Sequence, residues 1–238
     1  MTVISQPRYL PALTYLQRLH FAETFVLLDN VQRQKRGFEN RNRVLVNASP
    51  KWLTIPSKSS SRALIQDTII DGSEWITNHK KKLDEYYNEA PFYDPSLIDL
   101  YYGDLEDQIA LMDYDFTESL AYLIKNICRM LNFEPVLLRA SQLNSKEVEE
   151  AEGPDKIFEI AKQTETDLYI SGINGREYGI LECFEQSSIG VKFHTDQPTP
   201  YSQAGYDFVP HLAFFDALFY AGKDWVENQV KKIPTLED

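Results

Sequence analysis

The chain has 238 residues and a formal net charge of −12, and its length suits one domain built around one hydrophobic core. Hydrophobic residues make up 43% of it and charged residues 25%, a balance typical of folded globular proteins. No apolar run approaches the roughly 18 residues that a membrane span needs, and the negative charge argues against binding to nucleic-acid phosphates.

The N-terminal quarter of the chain reads as strands with one helix among them. Pro11 suits the first turn of that helix, where a missing N–H costs nothing, and apolar residues follow at 3.6-residue spacing. The predicted strands are residues 3–5, 24–29, 43–46 and 52–56, the last two joined by a turn at 47–50.

The middle of the chain reads as helix. Apolar residues recur at helical spacing in residues 75–87, 95–102 and about 107–131. We expect this segment, about 75–132, to be a helical insertion or lid.

Strands and helices alternate again towards the C-terminus. The predicted strands are residues 136–138, 167–172 and 190–193, and the predicted helices are 154–164, 177–184 and 212–220. Strands that alternate with helices at both ends of a chain favour a parallel sheet. We therefore predict a single α/β domain over 1–238, with a mainly parallel, Rossmann-like sheet flanked by helices.

The sequence favours a reduced, cytoplasmic setting without membrane insertion. Residues 1–7 lack the basic flank and the long apolar stretch of a signal peptide. Cys128 and Cys183 are too few for a disulfide framework. The four histidines are scattered, with no metal-binding motif, so we predict no metal site. No G-x-S-x-G nucleophile motif is present either.

Two strand ends carry candidate ligand-binding residues, because open parallel sheets bind ligands beyond the carboxyl ends of their strands. Gln6 and Tyr9 follow the first strand, and the turn that begins at Ser171 and Gly172 follows a late one. Arg176 could add a directional charge for phosphate. Equally, the glycines could simply make a tight turn, with Arg176 solvated.

The stronger candidate is a basic segment between residues 32 and 43. Arg36 and Arg41 have the fork geometry that suits phosphate, and Lys35 offers a point charge. Asn40 could read hydroxyl groups, although the basic residues could instead pair with the protein's own acids. Asp29 could bind a ribose or act as a base, or it could cap the following turn.

Several spaced motifs extend over nearly the whole chain. They are QPxYLP at 6–11, a strand ending in Asp29, QKRxFxNR at 34–41, DxYISG at 167–172 with Tyr178, YxQ at 201–203, FxP at 208–210, and DxLF at 216–219 with Gly222. In this order they resemble the WbqC-like family of bacterial surface-polysaccharide clusters. Ala213 departs from the resemblance, since a serine is expected before the last helix.

The resemblance implies a transferase that modifies sugars in O-antigen or capsule biosynthesis, with acyl or aminoacyl transfer to an amino sugar as one candidate reaction. The expected ligand is a nucleotide-linked sugar or a related anionic metabolite; the cofactor stays open, with a nucleotide possible and no metal motif present. Its phosphate would contact Lys35, Arg36, Arg41 and Arg176, with Gln6, Asn40, Ser171, Gly172 and Tyr178 around it and Asp29 and Tyr9 as catalytic residues.

Two alternatives stay open. A binding or assembly protein for glycan biosynthesis would have the same pocket without turnover. An ATP-dependent ligase or nucleotidyltransferase is the other, since the strand, QPxYLP and helix order is similar to HIGH-type nucleotidyltransferases. Here Tyr9 and Leu10 stand where those proteins carry histidines.

Overall fold

A six-stranded sheet forms the centre of the protein in a computed structural model that describes residues 1–34, 36–60 and 62–238. The strands are β1 (Thr2–Ser5), β2 (Thr24–Leu27), β3 (Arg41–Val46), β4 (Ser49–Thr54), β5 (Val136–Arg139), β6 (Leu168–Gly172), β7 (Gly190–His194) and β8 (Leu236–Glu237). The order in the central sheet is β5-β2-β1-β6-β7-β8. Its first five strands run parallel, and β8 pairs antiparallel with β7 at the edge. The predicted mainly parallel sheet is confirmed.

Helices cover both faces of this sheet. They are α1 (Leu13–Phe21), α2 (Glu74–Tyr87), α3 (Pro95–Tyr102), α4 (Leu105–Gln108), α5 (Phe116–Met130), α6 (Lys146–Glu150), α7 (Gly153–Gln163), α8 (Ile180–Phe184), α9 (Phe214–Ala221) and α10 (Lys223–Val230), with 3-10 helices at Ala140–Gln142 and Ile173–Tyr178. Successive strand residues point to opposite faces. Val3 and Phe25 accordingly join a core with α1 to α5, α9 and α10, whereas Ile4 and Val26 join a second core with α6 to α8.

One predicted helix of the segment 75–132 is not continuous. The single helix expected over 107–131 is wrong, because Asp113 and Tyr114 have positive φ angles of 51° and 55°, which end α4 and its following turns. Such angles do not continue a right-handed helix. Asp115 then starts α5 as its N-cap, and its side chain accepts a hydrogen bond from the Glu118 backbone N–H at 2.7 Å.

β3 and β4 form a separate hairpin that is attached to the chain after β1. The amide of Asn42 donates to the Leu10 carbonyl at 2.6 Å, and the Arg43 carbonyl accepts from the Ala213 N–H at 2.8 Å. The first bond fastens the hairpin to the segment between β1 and α1, and the second fastens it to the residue that precedes α9. In the part of the chain that the structure describes, no helix has the length and apolar character to cross a bilayer.

Candidate functional site

A cavity of about 880 Å³ opens beyond the carboxyl ends of β1, β2, β6 and β7. The chain moves outward from β1 to β2 and β5, then returns to the other side of β1 with β6 and β7. The strand order therefore reverses between β1 and β6, and such a reversal leaves a crevice at the sheet edge where α/β proteins bind ligands. The described lining contains no residue of α2 to α5.

Two arginines of the cavity wall are held by one aromatic ring. The guanidinium carbons of Arg8 and Arg18 lie 5.7 and 5.6 Å from the centre of the Tyr15 ring, and Arg8 also lies 5.6 Å from the Phe38 ring. Tyr15 is itself buried, and its hydroxyl donates to the Gln6 carbonyl at 3.2 Å. Cation–π contacts of this kind fix the direction of a guanidinium without using its N–H donors.

Those donors remain available. Among the residues that the structure describes, neither Arg8 nor Arg18 forms an ion pair or donates a hydrogen bond to a protein acceptor. Burial, and next the charge of Arg8, lower the pKa of Arg18 to about 10, so that it stays protonated at neutral pH. Two like charges that share one ring and lack an acid favour an anion between them.

Two histidines add to the same wall. Burial, and then the charge of Arg18, lower the pKa of His194 to about 4, which leaves a neutral imidazole at pH 7. Its Nε2 is shielded from solvent and has no hydrogen-bond partner within residues 1–34, 36–60 and 62–238, and it lies 3.5 Å from a carboxylate oxygen of Asp196. Burial and the charges of Arg43 and Arg8 also lower the pKa of His211. The positive charge of this wall therefore comes from Arg8 and Arg18, with the neutral His194 ring beside them.

The sequence profile of the WbqC-like protein family matches residues 6–228 of this chain. The chain belongs to the WbqC-like protein family. A relative in Mycobacterium tuberculosis, the uncharacterized protein Rv1507c, is 27% identical to this WbqC-like chain over 228 residues, which cover 93% of the chain and 94% of the relative. No solved structure matches the chain.

Four of the predicted ligand-binding residues line the cavity of this WbqC-like protein. They are Gln6 after β1, and Ser171, Gly172 and Tyr178 at the end of β6 and in the 3-10 helix that follows. A β-carbon at Gly172 would lie 3.2 Å from Nη1 of Arg18, so the absence of a side chain gives that guanidinium its place. Their roles in binding stay predictions, but their positions are compatible with them.

Tyr9, predicted as catalytic, lies in the core and does not line the cavity. Its side chain is fully buried, and its hydroxyl is 2.7 Å from Nδ1 of His79 and 2.5 Å from the Tyr102 hydroxyl. Burial raises its pKa well above the usual value. A phenol held in this way supports the contact between the chain after β1 and helices α2 and α3.

Asp29, the other predicted catalytic residue, forms hydrogen bonds that connect parts of the fold; we call this its framework role. Its carboxylate is fully buried and accepts three hydrogen bonds, from Nε of Arg139 at 2.9 Å and from the backbone N–H and hydroxyl of Ser141 at 2.9 and 2.7 Å. All of these partners come from the end of β5 and the 3-10 helix after it. Both oxygens of the carboxylate are therefore engaged by the fold, where they join β2 to β5.

The predicted basic segment does not line the cavity with its arginines. Arg41 donates to the carbonyls of Gly37 and Arg36, and its guanidinium stacks 4.2 Å from the Trp52 ring. The side chain of Asn40 donates to the Ile55 carbonyl at 2.8 Å. Arg36 is exposed and outside the cavity lining, and Lys35 lies outside the described residues.

Arg176 also differs from the prediction. Its guanidinium pairs with Glu237 of β8 at 3.0 Å and lies 4.7 Å from the Phe193 ring. It thereby fastens the edge strand to the sheet and does not line the cavity.

Arg8 and Arg18, the two arginines that do line the cavity, were not predicted from the sequence. Arg8 is the variable residue of the QPxYLP motif, and its position inside that motif could have indicated it. Arg18 follows Thr14 by four residues, so both lie on one face of α1 and line the cavity together. In the described part of the chain, no group of three or more His, Cys, Asp or Glu side chains could hold a metal ion.

Proposed function

We propose that this WbqC-like protein binds a nucleotide-linked sugar or a related anionic metabolite in the cavity and transfers a group to or from it during surface-polysaccharide biosynthesis. The observation that carries this proposal is the pair of arginines, Arg8 and Arg18, which line the cavity and have no acceptor among the residues that the structure describes. Guanidinium groups bind phosphate and carboxylate oxygens in pairs of parallel hydrogen bonds.

The shape of the site supports a ligand larger than free phosphate. A cavity of about 880 Å³ lies within the range of 300–1,000 Å³ that is usual for small-molecule sites. Phe38 lines the same wall and offers an aromatic face beside Arg8 for a base or a sugar ring. Catalysis in such a site would come from orientation of the reactants and stabilisation of charge.

Binding is tested by a thermal-shift screen of the full chain against nucleotide-sugars, ATP with magnesium and acyl donors. A ligand at about 100 times its dissociation constant stabilises the native state by roughly 2.7 kcal/mol. The affinity of a positive compound is then measured by calorimetry for the wild type and for Arg18→Gln. A hydrogen bond to a charged group contributes about 1.5–3 kcal/mol, so the variant should bind roughly 10- to 100-fold more weakly.

Arg176→Gln is the matched control, because it removes an arginine whose partner is Glu237, outside the cavity. It should leave the affinity unchanged. Equal loss in both variants, or no loss in Arg18→Gln, would contradict the proposal. Tight binding without turnover of any donor and acceptor would favour the binding or assembly role instead.

An ATP-dependent ligase or nucleotidyltransferase is a second candidate, and the position of α1 favours it. The cavity reaches Thr14 and Arg18 in the first two turns of this helix, directly after β1, where nucleotide phosphates bind in many α/β proteins. Release of pyrophosphate from ATP in the presence of a small acid would support this candidate. Thermal stabilisation by nucleotide-sugars but not by ATP would argue against it.

A further inference from the structure

A buried acid lies in the same cavity as the two arginines. Glu39, in the segment between β2 and β3, is 2% exposed and lines the cavity. Its Oε2 atom is shielded from solvent and has no hydrogen-bond partner in the described part of the chain. A buried carboxylate is costly unless it is paired.

The chain around Glu39 holds the carboxylate in place. The Glu39 carbonyl accepts from the Tyr9 N–H at 3.0 Å, and the next residue, Asn40, is fastened to the Ile55 carbonyl. A β-carbon at Gly37 would lie 1.8 Å from Oε2 of Glu39, so the carboxylate packs directly against the bare backbone of that glycine. The acid is therefore built into the wall and is not a mobile surface group.

The nearest cations that the structure describes form no ion pair with this acid. The charge of Glu39 opposes the effect of burial on the pKa of Arg33, but the Arg33 guanidinium donates to the hydroxyls of Ser57 and Ser59, at 2.7 Å each. Arg8 directly precedes Tyr9 in the chain, and its guanidinium is stacked on the rings of Tyr15 and Phe38. Among the described residues, it is not within ion-pair distance of Glu39.

We propose that Glu39 binds a protonated primary amine of the ligand, while Arg8 and Arg18 bind its anionic group. This assignment rests on the proposed function and narrows the ligand to an amine-bearing sugar phosphate or nucleotide-linked amino sugar. An ammonium group presents three donors to a carboxylate that lacks one, and the charge-assisted bond compensates both buried groups. A neutral hydroxyl sugar offers no such compensation.

The test uses two probes, UDP-glucosamine and UDP-glucose, that differ by one amine against one hydroxyl. Calorimetry with the full-length wild type should give at least roughly tenfold tighter binding of the amine compound, the effect of one charge-assisted hydrogen bond. Glu39→Gln keeps the shape of the side chain and removes its charge, so it should bind the two probes about equally. Glu237→Gln, outside the cavity, should keep the preference.

Equal affinities in the wild type, a preference that survives in Glu39→Gln, or the absence of binding to UDP-glucosamine would each overturn the assignment. If UDP-glucose binds in an Arg18-dependent manner without any amine preference, the amine site fails while the proposed function stands. If neither probe binds and the wider screen is also silent, both fail.

The melting temperature of the ligand-free protein gives an independent readout. Removal of an unpaired buried charge should raise the melting temperature of Glu39→Gln by roughly 2–4 °C in a chain of this size. A lower melting temperature would identify Glu39 as a structural acid and overturn the assignment.

Discussion

Asp216 and Glu39 are both buried acids, but their surroundings give them different roles. The carboxylate of Asp216 accepts hydrogen bonds from the hydroxyls of Tyr87 and Tyr201, at 2.9 and 2.7 Å, and from the amide of Gln203 at 2.8 Å. Burial still raises its pKa, and all its neighbours belong to the fold. A satisfied acid of this kind specifies packing, whereas an acid with an unpaired oxygen at a cavity leaves a place for a ligand.

Asp29 offers a test of the framework role at the residue scale. Asp29→Asn should lower the free energy of unfolding by about 1.5–3 kcal/mol, because the Arg139 guanidinium loses its buried carboxylate partner and keeps only Asp115 and Glu118. Urea unfolding measures the change. If the variant instead keeps its stability and loses ligand affinity, Asp29 acts on the ligand as the sequence predicts.

Asp71→Asn is the control for that comparison. Asp71 pairs with Lys58 at 2.7 Å, but both side chains are more than half exposed. Exposed pairs of this kind contribute about 1 kcal/mol or less, so the control should unfold close to the wild-type urea concentration.

At the scale of single elements, the β3–β4 hairpin contains a turn whose chemistry can be improved. Asn47 and Ala48 have φ angles of 48° and 62°, the two positive values that a two-residue hairpin turn of type I′ requires. Alanine is strained there by roughly 1–2 kcal/mol. Ala48→Gly creates the favoured Asn-Gly pair and should raise the melting temperature, by up to roughly 2–4 °C.

Ser49→Gly provides the opposite case one residue later. Ser49 begins β4, where glycine gains nothing and loses more conformational freedom on folding. This variant should be destabilised by about 0.5–1 kcal/mol. Stabilisation by both substitutions, or by neither, would show that turn strain is not what limits the hairpin.

Elements with strong local signals are predictable from this sequence. The bounds of α3 agree with the prediction, because Pro95 stands in its first turn and Asp94 caps it by accepting from the Ser96 N–H at 2.9 Å. Among the α-helices and strands that the structure describes, α6, α10 and β8 were not predicted. α6 has five residues and β8 two, and such short segments carry too little periodicity to detect. α10 has eight residues, but few of them are apolar, and its place is decided by packing on α1 and α9.

The candidate site was predicted less well than the fold, for a reason that concerns charge. Arg33 and Arg41 belong to the basic cluster in the sequence. Their guanidinium groups donate to neighbouring hydroxyls and carbonyls, and these hydrogen bonds stabilise the fold. Arg8 and Arg18 are ten residues apart; Arg18 lies one helical turn after Tyr15 on α1, whereas Arg8 reaches the same ring from the segment between β1 and α1. Sequence shows where charges are dense, but not which of them remain unpaired.

At the scale of the whole molecule, two buried histidines link stability to pH. Burial lowers the pKa of His79 and of His194 to about 4, against about 6.5 in the unfolded chain. The unfolded state therefore binds more protons between these values, and stability must fall as the pH drops from about 6.5 to about 4. Each ring contributes to this loss in proportion to the lowering of its pKa.

His79→Asn should flatten part of this decline, since asparagine has no charge to acquire. Urea unfolding of the wild type and the variant at pH 7, 6, 5 and 4 measures the two slopes, and the variant should lose less stability over this interval. Identical slopes would mean that His79 is not neutral in the folded protein. Acids that titrate at the low end affect both proteins alike and cancel in the comparison.

The strand order has a consequence for the folding of this protein during its synthesis on the ribosome. β1 lies in the middle of the sheet, where Val3 pairs with Phe25 on one side and with Ile170 on the other. The edge of β1 that pairs with β6 therefore stays unpaired until β6 has been synthesised. Such long-range parallel pairing is slow, and until it forms the unpaired N–H and C=O groups of the strand edge can pair with other chains. Nascent chains that stop before β6 should accordingly depend on chaperones to stay out of aggregates.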